Sequence, residues 1–442
     1  MAYKIGMVSL GCAKNQVDGE LLLAKLVDAG YEISPIPEEC DAVIINTCGF
    51  IEDAKRESIE TIFEFCNLKN STNIKAVIVT GCLSERYREE MAKEIPEADV
   101  ILGIGKNGNI VDIVDRALKG EKIAEFGEKT DLSIEGERIL ANPPYFAYIK
   151  VAEGCDNKCA YCAIPLIRGR FRSRTLESIV SEVEKLCEYG VKEFNIIAQD
   201  TTRYGEDRYG QFMLSELIRR IAKIEKVKWI RILYCYPERI TDELLDTIAN
   251  EDKVVKYMDI PIQHASEKVL RDMNRAGNFD SIVSLMKKIR EKIPNVVLRT
   301  TLIAGFPGET EEDFAQLCQL VQEVKFERLG CFAYSREEDT PAYDMENQID
   351  EYTKARRADI IMELQREIAQ EWSEKMIGKE LEVLTEGFDT ESGAYYGRSY
   401  MDAPDIDTKV FFVSDKEHNE GDFVNVRIVQ SNEYDLIGEE IL

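Results

Sequence analysis

The stretch Tyr145-Phe-Ala-Tyr-Ile-Lys-Val151, followed three residues later by Cys155-Asp-Asn-Lys-Cys159-Ala-Tyr161-Cys162, decides how this chain is read. The first run is apolar and β-prone, and Asn142-Pro143-Pro144 punctuates the chain just before it. It reads as a strand. Three thiols then lie within eight residues, just past the end of that strand. Five further strand-like runs follow at 193–198, 229–233, 256–260, 296–302 and 330–334. Helical spacing separates them, for example at 176–189, 214–224 and 311–324. Alternating strand and helix patterns predict an α/β fold with a parallel sheet covered by helices. Six such units over 143–350 predict a partial (β/α)6 TIM-like barrel, or a complete one. The active site is then expected at the C-terminal strand ends, where the cysteines sit.

Working outward, residues 1–127 form a separate strand–helix series. Strands are expected at 3–10, 42–46, 76–80 and 100–102, and helices at 17–29, 51–68, 85–95 and 110–118, which predicts a second α/β parallel-sheet domain. Residues 128–142 are polar and aperiodic and read as a linker. Residues 351–372 read as a charged helical connector. From 373 to 442 short apolar runs alternate with Gly, Asp and Asn, which predicts a small antiparallel β-barrel.

The formal charge of the whole chain is −27, which opposes non-specific binding to phosphate backbones. No apolar run approaches the roughly 18 residues of a membrane span. Met1-Ala2-Tyr3-Lys4 leads straight into a strand-like run without a signal-peptide pattern, so a cytoplasmic protein with no membrane partner is expected. Twelve cysteines in such a chain point to metal binding or catalysis rather than disulfides. The only histidines are His264 and His418, so all-thiolate ligation is better supplied than mixed Cys/His ligation.

Three thiolates can hold three irons of a four-iron cluster and leave the fourth open to a ligand. The competing reading of Cys155, Cys159 and Cys162 is a structural zinc site, but that needs a fourth protein ligand and none lies nearby in sequence. Cys12, Cys48 and Cys82 each follow a predicted strand of the first domain. In a parallel sheet all strand C-termini share one edge, so these thiols are expected to converge. Their alternative reading is three small apolar residues buried at strand ends. Cys40, Cys66, Cys187, Cys235, Cys318 and Cys331 sit in apolar or helical patterns and read as neutral.

The triad at 155–162, with an aromatic residue before its last cysteine, resembles the radical S-adenosylmethionine (SAM) signature. That resemblance implies a [4Fe-4S] cluster whose open iron chelates SAM, and one-electron cleavage of SAM to a deoxyadenosyl radical. Tyr161 is then expected near the adenine. Gln199 and Asp200 follow a strand and could reach the cofactor, as could the backbone at Gly305 and Gly308. Arg168, Arg170, Arg172 and Arg174 recur at every second position and would share a face if extended, where Arg172 or Arg174 could meet the SAM carboxylate or a substrate anion. The alternative for this row is a solvated basic strip.

Ser-Leu-Gly-Cys-Ala-Lys-Asn at 9–15, Asn-Thr-Cys-Gly-Phe at 46–50, Gly-Cys-Leu at 81–83 and Gly-Phe-Pro-Gly-Glu-Thr at 305–310 extend the likeness. Together they resemble the methylthiotransferases over nearly the whole chain. The resemblance implies an N-terminal domain with a second [4Fe-4S] cluster, a radical SAM core and a C-terminal TRAM barrel. One SAM would supply the radical and another the methyl group. A reduced donor such as flavodoxin or ferredoxin is implied. Ala-Gln-Asp-Thr-Thr-Arg-Tyr-Gly at 198–205 and Gly-Arg-Ser-Tyr-Met-Asp-Ala-Pro-Asp-Ile-Asp at 397–407 resemble the branch that modifies an aspartate of small-subunit ribosomal protein S12. The other branch modifies adenosine in tRNA. Residues 373–442 carry 17 Asp/Glu against 6 Lys/Arg, which suits a basic protein rather than direct contact with tRNA. Tyr395, Tyr396 and Tyr400 are candidates for that contact surface, or equally for barrel core. A reading of another class is a cysteine-rich metal-binding or sulfur-carrier protein without radical chemistry.

Overall fold

The computed structural model describes residues 3–441; Met1, Ala2 and Leu442 lie outside the described residues. The N-terminal sheet is six-stranded and parallel, in the order β2-β1-β3-β4-β5-β6. Its strands are β1 Lys4–Ser9, β2 Glu32–Ile33, β3 Ala42–Thr47, β4 Ala76–Gly81, β5 Val100–Leu102 and β6 Ile123–Glu125. Every residue of β3 and β4 is buried, as expected for central parallel strands covered on both faces. Helices α1 Ala13–Asp28, α2 Glu52–Leu68, α3 Cys82–Glu94 and α4 Ile110–Ala117 provide that cover. The two outer strands β2 and β6 were not expected from sequence; at two and three residues they are too short to show a period.

Residues 128–142, read as a linker, are packed. Arg138 is buried and pairs with Glu20 of α1 and with Glu182 at 2.5 Å, which joins the two α/β domains. The second sheet is also six-stranded and parallel, ordered β14-β13-β12-β11-β10-β7, and it stays open between β7 and β14. The barrel is thus partial. Its strands are β7 Phe146–Lys150, β10 Glu193–Ile197, β11 Trp229–Ile232, β12 Val254–Asp259, β13 Val297–Ala304 and β14 Arg328–Ala333. A short ribbon, β8 Ala152–Glu153 with β9 Arg172–Ser173, brackets the cysteine loop. Asn and Thr capping boxes and single-residue Ser and Thr caps start helices between the strands.

The expected connector is the helix Glu351–Glu374, which packs on β13 and β14 instead of merely linking domains. Beyond it β15 Glu380–Asp389, β16 Ala394–Arg398, β17 Val410–Val413, β18 Phe423–Asn432 and β19 Asp435–Glu440 close into a five-stranded barrel. It is not wholly antiparallel, since β17 and β19 pair in parallel.

The stretch 398–407 is not free surface. Arg398 donates to Glu193 at 2.7 Å, Asp402 accepts from Arg328 at 2.7 Å, and Asp407 accepts from the Tyr257 hydroxyl at 2.6 Å. This loop therefore docks the small barrel onto the open (β/α)6 sheet, together with Phe146, Tyr148, Trp229 and Tyr257. The three tyrosines are half-buried, and Tyr395 and Tyr396, as successive strand residues, face opposite sides of the barrel wall. Tyr395 stacks on Phe412, the Tyr396 ring lies against Phe411, and the Tyr400 hydroxyl donates to the Asn295 carbonyl. Tyr395 and Tyr400 pack against the barrel core and its docking face, whereas Tyr396 is on the outer face and lines a cavity with Lys409 and Tyr145.

Candidate functional site

Cys12, Cys48 and Cys82 follow β1, β3 and β4, which are neighbours in the sheet. Their loops meet at its C-terminal edge. A Cβ on Gly11 would lie 2.9 Å from Cys48 Sγ, and one on Gly49 would lie 2.7 Å from the Leu83 backbone and 2.9 Å from that of Cys82. Only glycine allows both approaches. Asn15 ties the edge together: its side-chain amide donates to the carbonyls of Leu10, Asn46 and Thr47 at 2.8, 3.1 and 3.2 Å. Cys12 caps α1 and Cys82 opens α3, so two of the three sulfurs stand at helix N-termini. That placement favours negative charge.

Burial pushes the Cys48 thiol up to about 12, with Cys82 and Cys12 adding to the rise. Burial also raises Cys82, against the pull of Arg168. Cys12 is the exposed member of the three; the desolvation around its sulfur opposes ionisation, but Lys14, the Asn15 N–H and Arg168 outweigh it and hold the thiol below its usual value.

The second triad is equally crowded. The Cys155 N–H donates to the Gly169 carbonyl at 3.1 Å, and the Cys162 N–H to Cys159 at 3.0 Å. Asn274 holds the turn by donating to the Lys158 carbonyl at 2.9 Å. Burial raises Cys155 to about 11 and raises Cys162 further, with Cys159 as the next cause for the latter. Thiols that repel one another in this way ionise only beside a positive centre, which bound iron supplies. Among the described residues no group of three or more His, Cys, Asp or Glu side chains is arranged to hold a single ion. A cluster asks for something else, one thiolate per iron around a larger body.

The two triads are neighbours. Directly after Cys162 comes the short helix α5 Ile164–Arg168, and its Ile167, with Ala163, packs on Cys82. Arg168 at its end donates to Cys82 Sγ at 3.1 Å and to Asn15 at 3.2 Å. It also pairs with Asp18 and, at 3.3 Å, with Glu153, and Lys150 pairs with the same two carboxylates. The arginine row is thus not one extended face. Helix α5 takes Arg168 inward, and Arg170 is 89% exposed beside Asp156. Arg172 donates to the Lys129 carbonyl at 3.1 Å, and Arg174 is buried against Glu182 at 2.5 Å. Arg172 and Arg174 are held by these contacts, and each keeps a buried Nε–H without a partner among the described residues; of the four, only Arg168 reaches a cysteine of either triad.

The remaining expected residues divide. Tyr161 is beside the second triad, with its hydroxyl 3.4 Å from Arg275, and burial and then Cys159 raise it well above its usual value. Gln199 donates to Glu153 at 2.8 Å, and its carbonyl oxygen is buried without a partner among the described residues, as is that of Asn157. These two acceptors, buried and unpartnered beside a thiol triad, suit a polar ligand. Asp200 is committed to Asn157 at 3.0 Å and Arg239 at 2.8 Å, so it shapes the loop rather than offering free acceptors. Gly305 is a correction: at φ +78° its missing Cβ makes room for Lys354, whose Cγ would lie 2.4 Å away. It serves the packing of the helix Glu351–Glu374 and not a ligand. At Gly308, the carbonyl accepts from Lys268 at 2.7 Å.

Sequence reasoning missed Tyr236 and Arg275. The Tyr236 hydroxyl is 3.7 Å from Cys159 Sγ, and the Arg275 guanidinium lies 4.0 Å over the Tyr236 ring. The position of Tyr236, just past β11, was the available signal; Arg275 had none. Lys14 was quoted in a motif but given no task, and its ammonium sits 3.2 Å from the centre of the Tyr234 ring.

Comparison with known proteins covers the whole chain. The Radical SAM superfamily matches residues 149–321, uncharacterized protein family UPF0004 matches 4–103, and the TRAM domain matches 377–441. A ribosomal protein uS12 methylthiotransferase RimO of Thermoanaerobacter sp. (strain X514) is 51% identical over 98% of this chain and 99% of its own length. A protein of the same name from Acetivibrio thermocellus is 48% identical over 100% and 99%. Among solved structures, the radical SAM methyltransferase TsrM from Kitasatospora setae aligns over 77% of both chains with a TM-score of 0.57 at 15% identity. The cobalamin-dependent radical enzyme OxsB gives 0.52 at 11% identity, over 84% of this chain and 56% of that one. At such identities these two likenesses concern the fold alone.

Proposed function

Because the chain belongs to the ribosomal protein uS12 methylthiotransferase family of radical SAM proteins, we propose that it adds a methylthio group to the β-carbon of an aspartate of that ribosomal protein. The observation that carries this reading is the pairing of two thiol triads on one short helix, with Arg168 bridging them at Cys82. Cys155, Cys159 and Cys162 would hold the cluster that binds SAM, and Cys12, Cys48 and Cys82 a second [4Fe-4S] cluster. When bound, such a cluster would supply the single electron needed to cleave SAM, and a reduced flavodoxin or ferredoxin is the kind of donor that fits.

The chain's own residues would do the positioning. Tyr236 and Arg275 wall Cys159, the open carbonyls of Gln199 and Asn157 accept from the cofactor's polar groups, and Tyr161 lies where the adenine is expected. Arg168 supplies a fixed positive charge to Cys82 and binds the two domains face to face, which keeps the two clusters at one separation.

The small barrel favours a protein substrate over tRNA. Asp402 and Asp407 are used internally, yet its cations are used as well: Arg398 is buried, Arg427 pairs with Glu380, and Lys416 with Glu440. The outer face stays acidic and would repel phosphates while attracting a basic ribosomal protein. Among the described residues no helix is long and apolar enough to cross a membrane. Work on ribosomal protein in the cytoplasm is the setting this reading implies.

The test is a choice of substrates. Reconstituted enzyme with SAM and reductant is offered ribosomal protein S12 and, separately, tRNA carrying the modifiable adenosine. The expected result is replacement of one hydrogen by methylthio on S12, seen by mass spectrometry. Product on tRNA alone would refute the substrate, and iron-free protein after anaerobic reconstitution would favour the metal-free sulfur-carrier reading.

A further inference from the structure

Lys14 breaks two rules at once. It is only 8% exposed, and it stands in the first turn of α1, where the helix dipole disfavours a cation. A buried charge is costly unless paired. The other buried cations, Lys55, Lys150, Arg168, Arg174, Arg231, Arg275, Arg328, Lys354, Arg357 and Arg398, each have a carboxylate within 4.0 Å. Among the described residues Lys14 has none. What it has instead is the face of Tyr234, 3.2 Å from the ring centre, a cation–π contact.

The surroundings hold this arrangement firmly. Tyr234 follows β11 with φ +62°, an uncommon conformation for so bulky a residue. Its N–H donates to Asp259 at 2.9 Å, and its carbonyl accepts from the Thr201 N–H at 3.1 Å. Asp259 also accepts from Arg299 at 2.9 Å and is spoken for. Lys14 therefore reaches from the N-terminal domain into the C-terminal mouth of the (β/α)6 sheet. Cys12 is two residues before it, and Tyr236, two residues past Tyr234, touches Cys159. An ammonium without a carboxylate partner thus sits two residues from Cys12 of one triad and, through Tyr234 and Tyr236, near Cys159 of the other.

We propose that Lys14 is the substrate-carboxylate site: its ammonium pairs with the side-chain carboxylate of the aspartate to be modified and so fixes which carbon faces the second triad. The inference rests on the protein-substrate reading above. It makes Lys14 a specificity residue, because an asparagine or a neutral nucleobase leaves the buried charge unpaired.

The experiment measures equilibrium binding, with reconstituted enzyme and SAM but no reductant, by anisotropy of fluorescently labelled S12. S12 is compared with S12 whose target aspartate is replaced by asparagine. The unsubstituted enzyme is expected to prefer the aspartate form by roughly 10- to 100-fold, the range a hydrogen bond between charged groups supports. Lys14→Met is expected to bind the two forms alike with its iron content unchanged. A Lys14→Met enzyme that keeps the preference overturns the proposal, and so does one that loses iron from the N-terminal triad, since Lys14 would then serve that site. If Lys14→Met fails to fold, the unsubstituted enzyme still decides: equal affinity for the two S12 forms overturns the inference. The same preparation is run with reductant, so that failure to modify S12 at all is read against the function and not against Lys14.

Discussion

Replacing Arg168 with methionine tests the joint between the two α/β domains. Two carboxylates, Asp18 and Glu153, and two cations, Lys150 and Arg168, form a neutral group whose side chains are 0–2% exposed. Arg168→Met leaves two buried carboxylates facing one ammonium. Removing one partner of a buried pair costs about 3–5 kcal/mol. The loss falls on a particular surface, because Asp18 belongs to α1 while Lys150 and Glu153 belong to the β7–β8 segment. The measurement is hydrogen exchange of the α1 and α3 amides in the metal-free chain, which reads opening of that surface without global unfolding. A cost of that size speeds exchange by roughly 100- to 4,000-fold, at 1.4 kcal/mol per factor of ten. Adding Asp18→Asn restores neutrality and is expected to recover most of the loss. Exchange within tenfold of the unsubstituted protein, or a double variant as labile as the two losses summed, would refute the argument.

Three other outcomes are expected. Glu193 is buried between Arg231 and Arg398; burial raises its carboxyl, but the two guanidiniums outweigh that and hold it below the usual range. Its contribution to docking of the C-terminal barrel is then complete above the ordinary glutamate value of about 4.3 and lost as pH falls below it. Proteolysis between the helix Glu351–Glu374 and β15 should rise there, and Glu193→Gln should make that site labile at every pH; a flat profile in the unsubstituted protein would contradict this. Gly305→Ala puts a Cβ against Lys354 at φ +78° and should lower the melting temperature, with about 1–2 kcal/mol lost to the backbone alone. An unchanged melting temperature with selective loss of SAM affinity would return Gly305 to the cofactor site. Cys155→Ala and Cys48→Ala should each reduce iron from about eight to about four per chain, with SAM cleavage abolished only in the first; eight irons in both would remove the two-cluster reading.

What the sequence determined by itself is what short-range periodicity and parallel-sheet geometry dictate. Apolar runs such as Ala-Val-Ile-Ile at 42–45 can only be buried strands, and cysteines just past such strands must share one edge. Both triads, the partial barrel and the small C-terminal barrel were legible for that reason. The tertiary structure alone decided which charges meet. The arginine row was misread because a helix of five residues, Ile164–Arg168, carries too little period to announce itself. Arg168 and Cys82 are 86 residues apart, Arg398 and Glu193 are 205, and Lys14 meets Tyr234 only once two domains have docked. Side-chain pairing across such distances depends on how whole domains pack, and no local pattern in the chain encodes it.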